Sequence, residues 1–233
     1  WNQTAKKFEI KFLRKMRNSM TQEALADRMG VSRQTVSKWE LDSAYPEMDK
    51  LIELCALFSC TMDQLIREDM NMGSDSYSPI VLTDVPALRY IRYAVISREP
   101  EDDAINHVLG WAKDLKISQP EIIGWDFPCL SQEQINVYNM HGYAAALLLP
   151  QGLELPEGKA EVICQKPQSY LKITITDPMR SPFTLIPNAY QMIKAHMRIN
   201  AVKALYDDPS VLPCFEKTYE KEGVTYMDVL IAV

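Results

Sequence analysis

The sequence lacks the features of a disulfide-stapled, zinc-stabilised or membrane-spanning chain. Its five cysteines are an odd number and no two are spaced as Cys-x-x-Cys, so we expect neither a disulfide framework nor a zinc site. It contains no run of ~18 apolar residues, the length that a membrane-spanning helix needs. Free cysteines are typical of reducing compartments, and the sequence therefore predicts a cytoplasmic protein.

Signatures of several enzyme classes are also missing. There is no GxGxxG, no P-loop, no HExxH and no nucleophile elbow. The histidines His107, His141 and His196 are scattered and lack the spacing of metal ligands. From these absences we predict no metal, no other cofactor and no enzyme activity.

Charge is distributed unevenly along the 233 residues, whose net charge is −6. Residues 1–41 contain nine Lys and Arg against four Asp and Glu, a balance of +5. Residues 71–233 contain 14 against 20, a balance of −6. A basic head on an acidic body is expected where the head meets phosphates, and the length suits two domains.

Residues 6–69 have the apolar periodicity of a series of short helices. Thr21 is placed to cap a helix that Gly30 ends, since glycine tolerates the positive φ of a helix end. Ser32 is placed to cap the next helix, over residues 33–40.

Two more start signals follow in the same part of the chain. Pro46 is predicted to open a fourth helix and Thr61 to cap a fifth. We therefore predict an all-α, five-helix domain over residues 1–69. Residues 70–79 are rich in Ser, Gly and Asp and are predicted to be a flexible linker.

After the linker the pattern changes to mixed strands and helices. The order is strand, helix, strand, strand, and then the same order again. The predicted segments are strand 86–97, helix 101–116, strands 121–127 and 134–149, strand 158–176, helix 183–197, and strands 212–220 and 225–232. Residues 80–233 are therefore predicted to form an α+β domain of two βαββ repeats around a ligand cleft.

The stretch from Thr21 to Glu40 carries the strongest functional pattern. Ala26 is small where two helices would cross closely, and Gly30 permits a tight turn between them. Such a pair places the N-terminal residues of its second helix in the major groove of DNA. The polar residues predicted to face DNA are Gln22, Ser32, Arg33, Gln34, Thr35 and Lys38.

Each of these side chains has a chemistry suited to DNA. Arg33 can bind guanine bidentately and Gln34 can bind adenine in the same way. Lys38 and Thr35 can reach a phosphate or a base, and Gln22 can bind a phosphate at the start of its helix.

This stretch resembles the helix-turn-helix domain of the Xre and phage-repressor family, and the resemblance extends over residues 8–68. It implies a five-helix domain that binds operator DNA, often as a dimer, with the polar residues named above facing the DNA. It also implies an ion pair between Glu40 and an Arg of the first helix. Arg14 or Lys15 could take that role, and a Lys would pair less well than a bidentate Arg.

Aromatic residues near carboxylates stand out in the second half of the chain. Glu216 is flanked by residues expected to be buried, and a buried carboxylate walled by aromatic rings suits a cation. Strand alternation leaves open that Glu216 faces solvent instead. The predicted site takes a small amphipathic or aromatic ligand, cationic rather than anionic, and comprises Trp125, Phe127, Tyr143, Phe215, Glu216 and Tyr226.

Residues 80–233 resemble the GyrI-like effector-binding domain, which is also found in AraC-type and multidrug-sensing regulators. The resemblance rests on residues 123–128, on 142–145 leading into 148–150, and on 215–219 followed by 227–233. The resemblance implies two βαββ repeats around a ligand cleft, with a Glu of the second repeat as polar anchor. Glu216 matches that position. Ala144, Ala232 and residues 177–183 depart from the family pattern, which leaves the identity of the ligand open.

Together these patterns predict a homodimeric, ligand-responsive transcription regulator that binds double-stranded operator DNA. Two alternatives remain open. One is a GyrI-like small-molecule hydrolase, in which Glu216 and a nearby Tyr serve as acid and base. The other is a protein-sequestering module with a helix-turn-helix head. Turnover of an electrophilic small molecule would support the hydrolase, and a pulldown that survives DNase and added ligand would support the sequestering module.

Overall fold

The helices of the N-terminal part follow the predicted series. The computed structural model describes residues 10–17, 20–66, 76–127, 130–131, 134, 137–138, 140–156, 158, 160–206, 208 and 210–233. The helices are α1 (Ile10–Met16), α2 (Gln22–Met29), α3 (Arg33–Glu40), α4 (Met48–Phe58) and α5 (Met62–Ile66). Pro46 does not open α4, because Glu47 after it still has an extended backbone with φ −65° and ψ 160°.

The caps of α2 and α3 are formed by the residues that the sequence indicates. Thr21 Oγ1 accepts a hydrogen bond from the Ala24 N–H at 3.1 Å, and Ser32 Oγ accepts one from the Thr35 N–H at 3.1 Å. Gly30 follows α2 with φ 62°, a left-handed backbone that glycine adopts without strain. These local signals set the short turn between the two helices.

Each of these two helices buries one apolar side. On α2 the buried residues are Leu25, Ala26 and Met29, and on α3 they are Val36 and Trp39. Full burial of a Leu, Val or Met side chain contributes ~1.5–3 kcal/mol, against ~0.5–2 kcal/mol for a single cap. The packing therefore holds the angle between α2 and α3, while the caps decide where each helix begins.

The rest of the described chain contains one eight-stranded antiparallel sheet with two long helices. The strands are β1 (Val81–Val85), β2 (Leu88–Ser97), β3 (Ile122–Asp126), β4 (His141–Leu148), β5 (Ile163–Gln165), β6 (Gln168–Thr176), β7 (Cys214–Lys221) and β8 (Val224–Ala232). The helices are α6 (Pro100–Asp114) and α7 (Pro182–Ile199), with a 3₁₀ turn at Pro178–Arg180 before α7. The strand order is β1-β6-β8-β7-β3-β4-β2-β5.

Two predicted strands were wrong in extent, and one strand was not predicted. The strand predicted over residues 134–149 begins only at His141, because Ser131 and Gln134 bond each other as in a helix start. Gln134 N–H donates to Ser131 Oγ at 3.1 Å and Ser131 N–H to Gln134 Oε1 at 2.9 Å. The strand predicted over 158–176 is two strands, β5 and β6, and β1 was not predicted.

The contacts of the chain divide it into two compact units. The first, here called the N-terminal unit, contains the described residues up to Tyr77 together with Ser181–Lys203; the second, the sheet unit, contains Ser78–Arg180 and Ala204–Val233. Helix α7 thus groups with the N-terminal helices, whereas the sequence assigned it to residues 80–233. Within the N-terminal unit, Asn200 Nδ2 donates to the Met16 carbonyl at 3.1 Å, and the Tyr77 hydroxyl donates to the Leu185 carbonyl at 3.0 Å.

The sheet of the second unit buries side chains on two faces, because successive residues of a strand point to opposite sides. One face packs against α6 and is here called the α6 face; it includes Ile91, Tyr143 and Leu147. The other is here called the Trp125 face, and it includes Tyr90, Trp125, Tyr170, Phe215 and Leu230. Among the helices that the structure describes, none is long and apolar enough to cross a membrane.

Candidate functional site

Helix α3 presents a polar surface at its N-terminal end. Ser32, Arg33, Gln34 and Lys38 are exposed, whereas Val36 is fully buried on the opposite side. Thr35 is half-buried and its hydroxyl lies 2.9 Å from Ser32 Oγ. The face that sequence reasoning assigned to DNA is therefore available to a partner.

A buried ion pair joins α1 to the C-terminal end of α3. Arg14 Nε lies 2.5 Å from Glu40 Oε1 and Arg14 Nη2 lies 3.1 Å from Glu40 Oε2. The guanidinium therefore binds both carboxylate oxygens. The two side chains are only 10% and 3% exposed. Arg14 also donates to the Met20 carbonyl. The structure therefore assigns the ion-pair role to Arg14, and Lys15 is exposed.

Two predicted DNA-facing residues are engaged within the protein. Gln22 Nε2 donates to Glu40 Oε2 at 2.8 Å, so its amide belongs to the same network as Arg14. Arg33 Nε lies 2.8 Å from Glu23 Oε1, with both side chains more than half exposed at 65% and 60%. An exposed pair of this kind contributes at most ~1 kcal/mol, so Arg33 can exchange its partner for a base at little cost.

The predicted ligand residues are divided between the two faces of the sheet. Trp125 and Phe215 lie on the Trp125 face, and Tyr143 lies on the α6 face. Glu216 pairs across strands with Gly124, and a Cβ placed on Gly124 would meet the Tyr143 hydroxyl oxygen at 2.0 Å. Glu216 and Tyr143 therefore meet over Gly124, away from Trp125.

The surroundings of Tyr143 are strongly acidic. Burial raises the pKa of the Tyr143 phenol well above its ordinary range, and the nearby charges of Glu216, Glu101 and Asp126 raise it further. Burial, followed by the charge of Asp126, also raises the pKa of Glu101. Burial raises the pKa of Asp126, and His141 opposes this shift. The site thus combines a phenol ring with three carboxylates, of which Glu216 is buried at 7% exposure.

The two remaining predicted ligand residues lie elsewhere. The ring of Phe127 covers Gly142, where a Cβ would come within 2.8 Å of it, and Phe127 packs against the Trp125 face. Tyr226 stacks on Tyr219 with the ring centroids 5.7 Å apart. The Tyr219 hydroxyl donates to Asp228 Oδ1 at 3.3 Å. In the structure, Tyr143 lies near Glu216, and Phe127 packs on the same face as Trp125. Tyr226 contacts Tyr219 and belongs to neither of these groups.

Sequence reasoning missed Glu101, Asp126 and Gly124 as parts of the Tyr143 environment. Asp126 carried a signal, since it stands next to Trp125 in an aromatic and acidic segment. Glu101 carried none, because it reaches the site from the first turn of α6. Within the described part of the chain, no three His, Cys, Asp or Glu side chains form a group that could hold a metal ion.

Comparison with known proteins identifies the N-terminal part of the chain. Residues 10–65 match the helix-turn-helix family model. The chain is 44% identical over 48 residues to the HTH-type transcriptional activator BcrR of Enterococcus faecalis, an alignment that covers 21% of this chain and 24% of BcrR. The chain thus spans about a quarter of that relative's length. Residues 10–65 are therefore a helix-turn-helix domain of the kind that transcription regulators carry.

Solved structures that cover more of the chain are more distant. A crystal structure of the C-terminal domain of EcmrR is 11% identical with a TM-score of 0.44, covering 67% of this chain and 96% of that one. A cryo-EM structure of an EcmrR–DNA complex is 10% identical with a TM-score of 0.41, covering 90% of this chain and 80% of that one.

Proposed function

We propose that this protein is a transcription regulator that binds operator DNA through α3 and responds to a small molecule bound in the sheet unit. The observation that carries the proposal is the exposed polar N-terminal end of α3, a helix whose C-terminal end is held by the buried Arg14–Glu40 pair. That pair fixes the helix that reads DNA, and the family match of residues 10–65 agrees with this role.

The DNA contacts follow from the geometry of α3. Its first turn presents Arg33 and Gln34, whose side chains can read guanine and adenine in the major groove. Ser32, Thr35 and Lys38 lie beside them and suit phosphate or base contacts. At the start of α2, the Gln22 amide or the backbone N–H groups of the first turn can bind a phosphate of the DNA.

A homodimer is part of the proposal, because one head of this size contacts few phosphates. We expect an inverted repeat whose half-sites are separated by about one helical turn of DNA or a multiple of it. Sedimentation of the full chain at micromolar concentration, together with footprinting of its selected site, tests this. A monomer bound to an asymmetric site would contradict it.

Along the chain we propose two βαββ repeats, β2-α6-β3-β4 and β6-α7-β7-β8, of which α7 groups with the N-terminal unit. Their strands meet in the sheet unit, where β3 pairs with β7. Gly124 of the first repeat faces Glu216 of the second at this junction. The Tyr143 phenol and the carboxylates of Glu216, Glu101 and Asp126 make the junction suitable for an aromatic cation. We propose that this site binds its ligand without chemical turnover.

Selection of DNA from a random library tests the DNA-binding half of the proposal. The wild-type chain should enrich one inverted repeat, and the double variant Arg33→Ala/Gln34→Ala should lose that enrichment. Lys113→Ala, which removes one exposed positive charge from α6, is the matched control and should keep the same sequence. Enrichment of the same repeat by the double variant would show that α3 does not read the DNA.

A further inference from the structure

A cleft of about 450 Å³ opens in the sheet unit, on the Trp125 face rather than at Tyr143 and Glu216. Its apolar floor includes Tyr90, Trp125 and Leu212, which are 5%, 8% and 6% exposed. Tyr206 adds a third aromatic ring to the lining. A concave site of this volume, with aromatic and charged side chains in its lining, has a usual size for a small molecule.

The wall of the cleft around Leu212 is held in place by a buried hydrogen-bond network. Gln165, which is 4% exposed, accepts a bond from the Leu212 N–H at 2.7 Å through Oε1. Its amide Nε2 donates to the Tyr170 hydroxyl at 2.9 Å, and that hydroxyl donates to the Leu212 carbonyl at 2.8 Å. Both backbone groups of Leu212 are therefore satisfied, and the wall is formed before any ligand binds.

Two opposite charges stand among the lining residues. Tyr90 pairs with Ile163 between the antiparallel strands β2 and β5. Arg92 lies two residues further along β2 than Tyr90 and therefore on the same side of the sheet, and Glu161 lies two residues before β5. Both side chains are exposed and both line the cleft. Across the described ranges, neither forms a salt bridge in the structure, so each charge can accept a ligand group.

The third charged group of the lining is already used. Asp208 Oδ1 accepts hydrogen bonds from the Ser210 N–H at 2.9 Å and from the Ser210 hydroxyl at 2.6 Å. These bonds lower the pKa of Asp208 and tie its carboxylate to its own loop. The charges free for recognition in the lining are therefore one guanidinium and one carboxylate.

From this arrangement we infer that the cleft is a second ligand site, which takes a zwitterionic aromatic molecule of the amino-acid type. The aromatic ring packs against Trp125 and Tyr90. The carboxylate binds the Arg92 guanidinium, whose planar fork suits two parallel hydrogen bonds. The ammonium group binds Glu161. This inference does not rest on the proposed site at Glu216, which lies on the other face of the sheet.

Calorimetric titration of the full chain with L-phenylalanine, L-tyrosine and L-tryptophan tests the inference. At least one of them should bind saturably. 2-Phenylethylamine lacks the carboxylate and 3-phenylpropionate lacks the ammonium group, so each should bind at least tenfold more weakly than L-phenylalanine, about 1.4 kcal/mol. If none of the three amino acids binds, or if one of the two truncated compounds binds as tightly as L-phenylalanine, the inference is wrong.

Variants separate this cleft from the site at Glu216. Arg92→Gln and Glu161→Gln should each weaken amino-acid binding about tenfold, or about 1.4 kcal/mol. Lys166→Gln and Glu154→Gln remove exposed charges outside the lining and are the matched controls. Glu216→Gln should leave amino-acid binding unchanged. A loss with Glu216→Gln but not with Arg92→Gln would place the ligand at Glu216 and overturn the second site.

Discussion

The two candidate sites of this protein differ in how their residues come together. At the start of α3, four exposed residues predicted to face DNA lie within seven positions of the chain, from the cap Ser32 to Lys38. The six predicted ligand residues come from β3, β4, β7, β8 and the residue after β3, and the structure separates them onto two faces of a sheet. A helical surface is local in sequence, whereas the face of a strand residue is decided by pairing with distant strands.

Of the changes considered, loss of the buried Arg14–Glu40 ion pair should lower the free energy of unfolding most. Glu40→Ala leaves the Arg14 guanidinium buried without its carboxylate, so the free energy of unfolding should fall by about 3–5 kcal/mol. Glu23→Ala removes the exposed partner of Arg33 and should cost at most ~1 kcal/mol. Urea unfolding of the full chain, monitored by circular dichroism, measures both. Equal losses would mean that the Arg14–Glu40 pair does not hold the helix-turn-helix together.

Removal of Arg33, the side chain proposed to read a base, should have the next largest effect. Arg33→Ala should weaken binding to the selected operator by ~1–3 kcal/mol and relax the preference at one base position. Lys38→Ala should instead weaken binding to all sequences alike and flatten the dependence of affinity on salt. Titrations at several salt concentrations distinguish the two variants. Unchanged affinity and footprint for Arg33→Ala would show that α3 docks differently.

A substitution at Gly124 tests whether the Tyr143 ring lies over this residue in the sheet unit. Gly124→Ala drives a methyl group into the Tyr143 phenol, so it should lower the free energy of unfolding by ~1–3 kcal/mol. Tyr143→Leu should relieve most of that cost when the two changes are combined. Gly110→Ala is the control, because a Cβ at Gly110 has nothing within 4 Å and alanine favours the helix α6. Additive losses in the double variant would mean that Tyr143 does not lie over Gly124.

The charge of Glu216 is tested with two probes of one shape, N-methylquinolinium and neutral 1-methylnaphthalene. Glu216→Gln keeps the side-chain shape and should weaken the cation by tenfold or more, about 1.4 kcal/mol, while sparing the neutral compound. Glu220→Gln removes an exposed carboxylate from the same strand and should change neither. Equal loss for both probes would mean that Glu216 acts through packing, and no loss for either would place it outside the site.

The smallest expected effect is a change in the pH dependence of stability at Asp126. Its folded pKa lies above the ordinary value of 3.8. The stability that this implies is fully present below pH 3.8 and is lost as pH rises through the folded pKa. Asp126→Asn should therefore lose less stability than wild type between acidic and neutral pH in urea unfolding. Because His141 lowers this pKa, His141→Gln should enlarge the wild-type loss; an unchanged profile in both variants would contradict the assignment.

Much of the N-terminal unit could be predicted from the sequence because its signals are short-range. The Thr21 and Ser32 caps, Gly30 and the apolar positions of α3 each act within one or two turns. The choice between Arg14 and Lys15 as the partner of Glu40 was open, since adjacent helix residues point about 100° apart and only packing selects one. Helix α7 was predicted as a helix, but its grouping with the N-terminal helices was not.

The sequence by itself determined that the chain has a helix-turn-helix head and a mixed strand and helix region, because caps and periodicity are local properties. It also indicated that Glu216 would be flanked by buried residues. Only the tertiary structure decided that Glu216 meets Tyr143 over Gly124, while Trp125 faces a separate cleft. That decision depends on the register between β3 and β7, where a shift of one residue would exchange the two faces.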